Sequence, residues 1–338
     1  MADFNLSITD WYRQNKRELP WRHTTDPFKI WLSEIILQQT RVDQGLSYYT
    51  AFTEAFKTVR ELAEADEQKI LNLWQGLGYY SRARNLHAAA KFVQTDLGGV
   101  FPKTYTDLLK LKGVGSYTAA AIASFAFKEA VAVVDGNVYR VLSRYYDIDL
   151  PIDSPKGKKY FQELAQELID HQEPDLFNQA IMEFGALQCT YHQPSCGSCP
   201  ISDSCLALRN HTIKERPVKS KKTAIKDRYF HYLIFEEKDE TLLEQRTAKD
   251  IWQNLWQFPL IETATPELGP EISGFGQVTI QRVSNEITHI LSHQRIKARF
   301  YHVREFPNHI PSTWKRIETS SLQDFPLPRL IDRYLNGK

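Results

Sequence analysis

Two acidic residues stand where a carboxyl group could help to break a bond. Glu34 lies in PFKIWLSEIILQQT, with Ile30 and Trp31 a helical turn before it and Gln38 a turn after. A carboxyl on so apolar a face is expected to have a raised pKa, as a general acid needs near neutral pH. A partly exposed helix surface is the commoner fate of a glutamate. Asp135 stands in Val-Val-Asp-Gly-Asn-Val, where its type suits the N-cap of the following helix. Capping and chemistry are compatible. The cap places a carboxylate at the mouth of a cleft, where it can stabilise positive charge as it develops.

Gly113-Val114-Gly115 adds a third element. Two glycines two apart let the backbone turn tightly and present amide N–H groups at a helix N-terminus, an arrangement that binds a phosphate oxygen. A lone Gly-x-Gly is more often a plain turn. Here a helix is predicted before it, Tyr117-Thr118-Ala119-Ala120-Ala121 opens a small-residue helix after it, and Asp135 follows.

The four cysteines, Cys189, Cys196, Cys199 and Cys205, form one group with the spacing C-x6-C-x2-C-x5-C. A disulfide framework would scatter them, so the grouping favours metal ligation. Four thiolates suit structural zinc or a [4Fe–4S] cluster. Zinc sites more often use two C-x2-C pairs, and this pattern contains one.

These groups must be carried by helices over most of the chain. Asp26-Pro27 opens one with a capping side chain and a first-turn proline. Helical patterns follow at 66–75, 81–97, 105–111 and 117–127, then directly after Asp135, and at 154–170 and 175–187, divided by short Gly- or Pro-containing breaks. Beyond about residue 225 the pattern changes. Tyr229-Phe230-His231-Tyr232-Leu233-Ile234-Phe235 is aromatic and β-branched, and 277–283 and 295–303 alternate as strands do.

Length and composition agree with this division. A chain of 338 residues exceeds one ordinary core, and 42% hydrophobic with 25% charged residues is the balance of a globular protein. No apolar run is long enough to span a bilayer and no signal core opens the chain, so a cytoplasmic location with no membrane partner is expected. The net charge of +1 announces no partner. Its distribution is more informative: Lys214, Arg216, Lys219, Lys221, Lys222, Lys226 and Arg228 fall between 209 and 228 against Glu215 and Asp227. Such a stretch attracts phosphate, or is a solvated linker.

Taken together, the motifs resemble the helix-hairpin-helix base-excision glycosylases, and within them the adenine DNA glycosylase family of the MutY type. The resemblance spans Pro20 to Cys205. It is carried by Leu19-Pro20-Trp21-Arg22, Trp31-Leu32-Ser33-Glu34, Leu37-Gln38-Gln39-Thr40, Gly76-Leu77-Gly78-Tyr79-Tyr80, the hairpin, Asp135-Gly136-Asn137-Val138 and the cysteine group. It implies that Glu34 protonates a ring nitrogen of adenine, that Tyr117 and Asn137 hold Asp135, and that Asp135 can bond transiently to the sugar. Trp21, Arg22 and Gln179 would line the adenine pocket. Gln39 and Tyr79 would wedge into the duplex beside the opposite base, with Thr40 and Leu77 also contacting substrate. For Tyr79 and Tyr80 alone, core packing beside a glycine turn is the plainer reading. The resemblance makes the cysteine site a [4Fe–4S] loop, with His192 and Arg209 near phosphate.

A bifunctional lyase resembling endonuclease III shares the fold, the aspartate and the cysteines. It needs a lysine just after the hairpin for a Schiff base, and Tyr117 occupies that place while Lys112 precedes the glycines. A non-catalytic damage reader would lack the acid or the aspartate.

In the C-terminal part, Trp252-Gln253-Asn254-Leu255-Trp256-Gln257-Phe258-Pro259 resembles Nudix-fold domains. No Arg-Glu-x-x-Glu-Glu run follows Arg228, which excludes the magnesium-dependent pyrophosphatase. The resemblance implies recognition of 8-oxoguanine, with Thr288-His289-Ile290-Leu291-Ser292-His293 as the reading loop. Leu291 replaces the family's usual phenylalanine, while Ser292 and His293 keep their polar groups. The expected molecule is therefore a monomer of two parts. An all-α helix-hairpin-helix region with an iron–sulfur loop (1–208) joins, through a basic linker (209–227), an α+β Nudix-like domain (228–338). Its expected substrate is double-stranded DNA with adenine opposite 8-oxoguanine or guanine.

Overall fold

The computed structural model describes residues 2–220, 225–268, 279–291 and 293–337. Lys221, Lys222, the first two residues of the strand expected at 277–283 and Ser292 lie outside the described residues. The chain divides into two units, Met1–Glu64 with Ala88–Lys221, and Ala65–His87 with Lys222–Lys338.

The first unit is helical. Helix α1 (Ala2–Asn15) is followed by a 3-10 turn (Pro20–Arg22), α2 (Pro27–Leu37), α3 (Val42–Ala55) and α4 (Val59–Glu64). The Asp26 carboxylate accepts from the Phe28 N–H at 2.9 Å and Pro27 fills the first turn, so α2 starts as its sequence predicts. Within α2 every residue from Ile30 to Ile36 is buried. A helix apolar on all sides belongs inside a domain, and α2 packs on both α3 and α8 (Ser116–Phe127). Buried Ala119–Ala123 let α8 lie close to its neighbours.

Three longer helices complete this unit: α9 (Gly136–Tyr145), α10 (Pro155–Leu168) and α11 (Pro174–Leu187). Their common core joins Phe4 and Ile8 of α1 to Val138, Val141 and Leu142, to Phe161 and Ala165, and to Phe177, Ile181 and Phe184.

An unusual strap leads into Asp135. Residues 129–135 form neither helix nor strand, so their backbone groups need partners from elsewhere. Side-chain amides supply them. Gln166 accepts from the Ala132 N–H and donates to the Ala130 carbonyl, at 2.9 and 2.8 Å, and Gln162 donates to the Ala132 carbonyl at 3.0 Å. From α11, buried Asn178 accepts from the Val133 N–H at 3.0 Å and donates to the Val131 carbonyl at 2.9 Å. Helices α10 and α11 thus act as the neighbouring strands that this segment lacks.

The second unit is mixed. A sheet in the order β4-β1-β7-β5 has the parallel pair β1 (Lys226–Phe235) and β7 (Gln294–Val303) at its centre. They run in register from Lys226 opposite Gln294 to Phe235 opposite Val303. Strand β4 (Leu260–Thr263) flanks β1, while β5 (Ile280–Val283) and β6 (Ile287–Ile290) both pair antiparallel with β7. A smaller antiparallel sheet has the order β3 (Trp256–Gln257), β2 (Glu240–Gln245), β8 (Trp314–Glu318). Leu233, Phe235, Leu242, Ile261, Tyr301 and Val303 form the core. Helix α5 (Glu67–Leu73), the start of α6 (Ser81–Thr95) and the last helix (Arg329–Leu335) also belong to this unit.

A candidate glycosidic-bond cleft

Helix α2, the start of α8 and the start of α9 converge on a cleft of about 200 Å³ in the helical unit. Glu34, Tyr117, Asp135 and Asn137 line it, as do Trp21, Arg22, Thr40 and Gln179. Of the residues expected to act on adenine, all are thus brought together.

Glu34 is only 6% exposed. Burial raises its carboxyl to about 7, Tyr117 as hydrogen-bond donor and the Arg22 charge pull it down, and the neighbouring Asp135 pushes it up. Tyr117 is held well above the ordinary tyrosine value, first by burial and then by the two carboxylates, so its hydroxyl stays a donor.

Asp135 caps α9. Its Oδ1 accepts from the Asn137 and Val138 N–H groups, each at 2.8 Å, and its Oδ2 accepts from the Asn137 side-chain amide at 2.7 Å. Burial raises this carboxyl too, while the three donors and nearby Arg140 oppose the rise. Two carboxyls that line one cleft and feel each other's charge do not both ionise easily. The N–H donors are gathered on Asp135, so Asp135 takes the charge and Glu34 keeps the proton.

Opposite them stands a group that the sequence reading missed. Glu183 of α11 is 1% exposed and receives two arginines. Arg17 donates to its two oxygens at 2.9 and 2.6 Å, Arg22 at 2.9 and 2.7 Å, and the Arg17 backbone N–H adds a bond at 2.9 Å. Burial alone would raise the Glu183 carboxyl, but these bonds outweigh it and leave it at about 2. The clamp fixes the Arg22 guanidinium in the cleft wall. Tyr12 orients Gln179 in the same way, donating to Oε1 at 2.8 Å, so the amide keeps Nε2 as its donor. Trp21 packs edge-on to Tyr49 at 5.1 Å.

At the hairpin, α7 (Tyr105–Leu108) precedes the turn and Gly113 takes φ 82°. Gly115 is the N-cap of α8, has no side-chain cap, and has open space where a Cβ would stand. Gln39 is exposed just beyond α2 with φ 56°, and lies outside the cleft lining.

Leu77 and Tyr79 lie in the other unit. Leu77 and Tyr80 are buried, whereas the Tyr79 ring is 44% exposed, so the structure separates a pair that the sequence treats alike. Tyr79 lines a pocket of about 310 Å³ together with Arg84, Asp250, Trp252, Leu291 and His293. The wall at Asp250 is rigid, because Arg228 and Arg246 donate to its Oδ2 at 2.7 and 2.9 Å.

The four cysteines line one small cavity with Val141, Arg144 and Phe184. Among the described residues no group of three or more His, Cys, Asp or Glu side chains is arranged to hold a single metal ion. Helix α9 grips this loop twice. Arg140 donates to the Cys189 carbonyl at 2.7 Å and to the Asn137 side chain at 2.7 Å, and buried Arg144 donates to the Thr190 and Tyr191 carbonyls at 2.7 and 2.9 Å.

Residues 32–171 match the HhH-GPD superfamily of base excision DNA repair proteins, and 231–337 match a NUDIX domain. An adenine DNA glycosylase of Buchnera aphidicola subsp. Baizongia pistaciae is 36% identical over 296 residues, covering 86% of this chain and 83% of that protein. The chain belongs to the adenine DNA glycosylase family. The adenine DNA glycosylase of Homo sapiens is 44% identical over 213 residues, 60% of this chain and 39% of its own length. A solved thermostable thymine-DNA glycosylase superposes with a TM-score of 0.57 at 31% identity, over 61% of this chain and 95% of that one. As an adenine DNA glycosylase family member, the protein is a DNA N-glycosylase of base excision repair. No helix among its described residues is long and apolar enough to cross a membrane.

Proposed function

We propose that this glycosylase removes adenine paired with 8-oxoguanine or guanine, with Glu34 as general acid and Asp135 as the carboxylate that stabilises the sugar cation. One observation carries this reading: buried Glu34 and half-buried Asp135 line one cleft, and only Asp135 is loaded with N–H donors.

The flipped adenine enters the cleft between Trp21, Arg22 and Gln179, and unstacking is offset by Gln39 and Tyr79 inserted in the duplex. Glu34 transfers its proton to a ring nitrogen. The C1′–N bond then breaks with its electron pair leaving on adenine, and Asp135 stabilises the oxocarbenium ion. Water attacks C1′ and returns a proton to the Glu34 carboxylate, which restores the acid. Tyr117 and Asn137 hold the two carboxyls in their separate states. Tyr117 fills the place where a lyase carries its lysine, and Lys112 is outside the cleft lining, so the enzyme is monofunctional.

The hairpin Gly113-Val114-Gly115 holds a backbone phosphate through the uncapped start of α8. The pocket of Tyr79, Leu291 and His293 reads the base opposite adenine. Cys189, Cys196, Cys199 and Cys205 hold a [4Fe–4S] cluster. Four thiols that line one cavity supply the donor set such a cluster needs. Four protein ligands leave no open iron, so the cluster orders the loop that α9 grips. The catalytic region lies within 1–208, of which 65–87 belong to the second unit, with 209–227 as linker and 228–338 as lesion reader, in a cytoplasmic monomer.

The test is adenine release from duplexes that differ only in the base opposite adenine. Release opposite 8-oxoguanine and guanine, but not opposite thymine, supports the reading. Binding without release sinks it, and strand breaks without added base, with a covalent enzyme–DNA adduct trapped by borohydride, restore the lyase.

A further inference from the structure

The turn at Gly76-Leu77-Gly78-Tyr79 contains three left-handed residues, with φ 93° at Gly76, 76° at Gly78 and 49° at Tyr79. A tyrosine in that region is strained and persists only where its surroundings hold it. Part of the hold is local. Trp74 Nε1 and Arg82 Nη2 donate to the Gly78 carbonyl at 3.0 and 3.2 Å, and the Arg82 guanidinium lies 5.8 Å from the Tyr79 ring centre.

The rest comes from the far end of the sequence. Arg329 Nη1 donates to the Gly76 carbonyl at 2.7 Å. The Gly76 N–H donates to the Tyr80 hydroxyl at 3.4 Å, and that hydroxyl donates to the Leu327 carbonyl at 3.2 Å. Asn72 Nδ2 adds a bond to the Asp324 carbonyl at 3.0 Å. Both backbone groups of Gly76 are therefore tied, directly or through Tyr80, to residues 327–329. Three residues on, Tyr79 lies at most roughly 10 Å from Gly76, so a ten-degree tilt at Gly76 moves it by up to about 2 Å.

We propose that Arg329 and Tyr80 are positioning residues for recognition of the base opposite adenine. They fix Gly76, and so hold Tyr79 as a wall of the pocket it shares with Trp252, Leu291 and His293. This rests on the reading of that pocket given under Proposed function. Uniform destabilisation would slow every substrate alike, whereas a misplaced Tyr79 changes the ratio between opposite bases.

The experiment uses the full chain and two duplexes, with 8-oxoguanine or guanine opposite adenine, and measures single-turnover excision. Arg329→Ala and Tyr80→Phe are expected to lower the rate ratio about tenfold, the scale of one lost hydrogen bond to a charged or buried partner. Arg329→Lys, which keeps a donor, is expected to recover most of it. Tyr80→Phe preserves the buried ring and remains informative if the arginine variant folds poorly. The proposal is overturned if Tyr79→Ala lowers the ratio while Arg329→Ala and Tyr80→Phe leave it within about twofold of the parent. If Tyr79→Ala also leaves it at the parent value, the pocket reading itself is wrong.

Discussion

Arg22 and Glu183 are joined by two parallel bonds of 2.9 and 2.7 Å, and the carboxylate is shared with Arg17. Removing one partner of a buried ion pair leaves the other charge uncompensated, at a cost of about 3–5 kcal/mol. Glu183→Gln should therefore lower stability by about that amount in urea unfolding. It should also slow adenine excision, because Arg22 no longer has a fixed orientation. Unchanged stability and unchanged excision would remove Glu183 from the site.

A second expectation concerns pH. Glu34 must be protonated to act as an acid, and its pKa is raised to about 7. Single-turnover excision should thus fall about tenfold per unit as pH rises above 7. Glu34→Gln should bind the mispair and release no adenine; a variant that still excises would refute the assignment.

The same shift makes a claim about stability. The folded-state value exceeds the unfolded one, so stability is complete below about pH 4 and is lost as pH rises through 7. The loss amounts to about 3 kcal/mol. Glu34→Gln escapes it. Thermal melting should find the variant more stable than the parent at pH 8 and equal to it below pH 4; the opposite order would show that Glu34 is not buried as a neutral acid.

Gly185 of α11 offers a third test. A Cβ there would meet the Asn137 Cβ at 2.7 Å and its carbonyl oxygen at 2.9 Å. Gly185→Ala must push α9 away, with an overpacking cost of about 1–3 kcal/mol. Asn137 would move with it, and excision should drop further than melting alone explains. Unaltered kinetics would mean that Asn137 does not position Asp135.

Iron and sulfide analysis tests the cysteine site. Purified protein should contain about four of each per chain, and Cys199→Ser should lose them together with DNA affinity. Zinc at about one per chain would replace the cluster by a mononuclear site.

Glu34 and Asp135 were legible because their signals are local: an acid on an apolar helical face, and an aspartate where a helix begins. The four cysteines were legible as a group for the same reason. Glu183 carries a signal like that of Glu34, an acid beside Ile181 and Phe184, and that pattern could have found it. Its partners could not be read, since Arg17 is 166 positions away. The helices expected at 66–75 and 81–97 read as part of the helical region, yet 65–87 belong with the C-terminal strands. That membership depends on bonds such as Arg84 to the Gln253 carbonyl, which no periodicity records. Gln162 and Gln166 look in sequence like ordinary polar positions of an amphipathic helix, because the unpaired strap they serve comes from another part of the chain.

That strap has a consequence for how the enzyme meets changing acidity. Its polar groups are held by Gln162, Gln166 and Asn178, and carboxamides neither gain nor lose protons across any physiological range. The carboxyls of the cleft titrate; the carboxamides that hold the strap delivering one of them do not. Acidity can therefore switch the reaction on and off while the geometry stays in place.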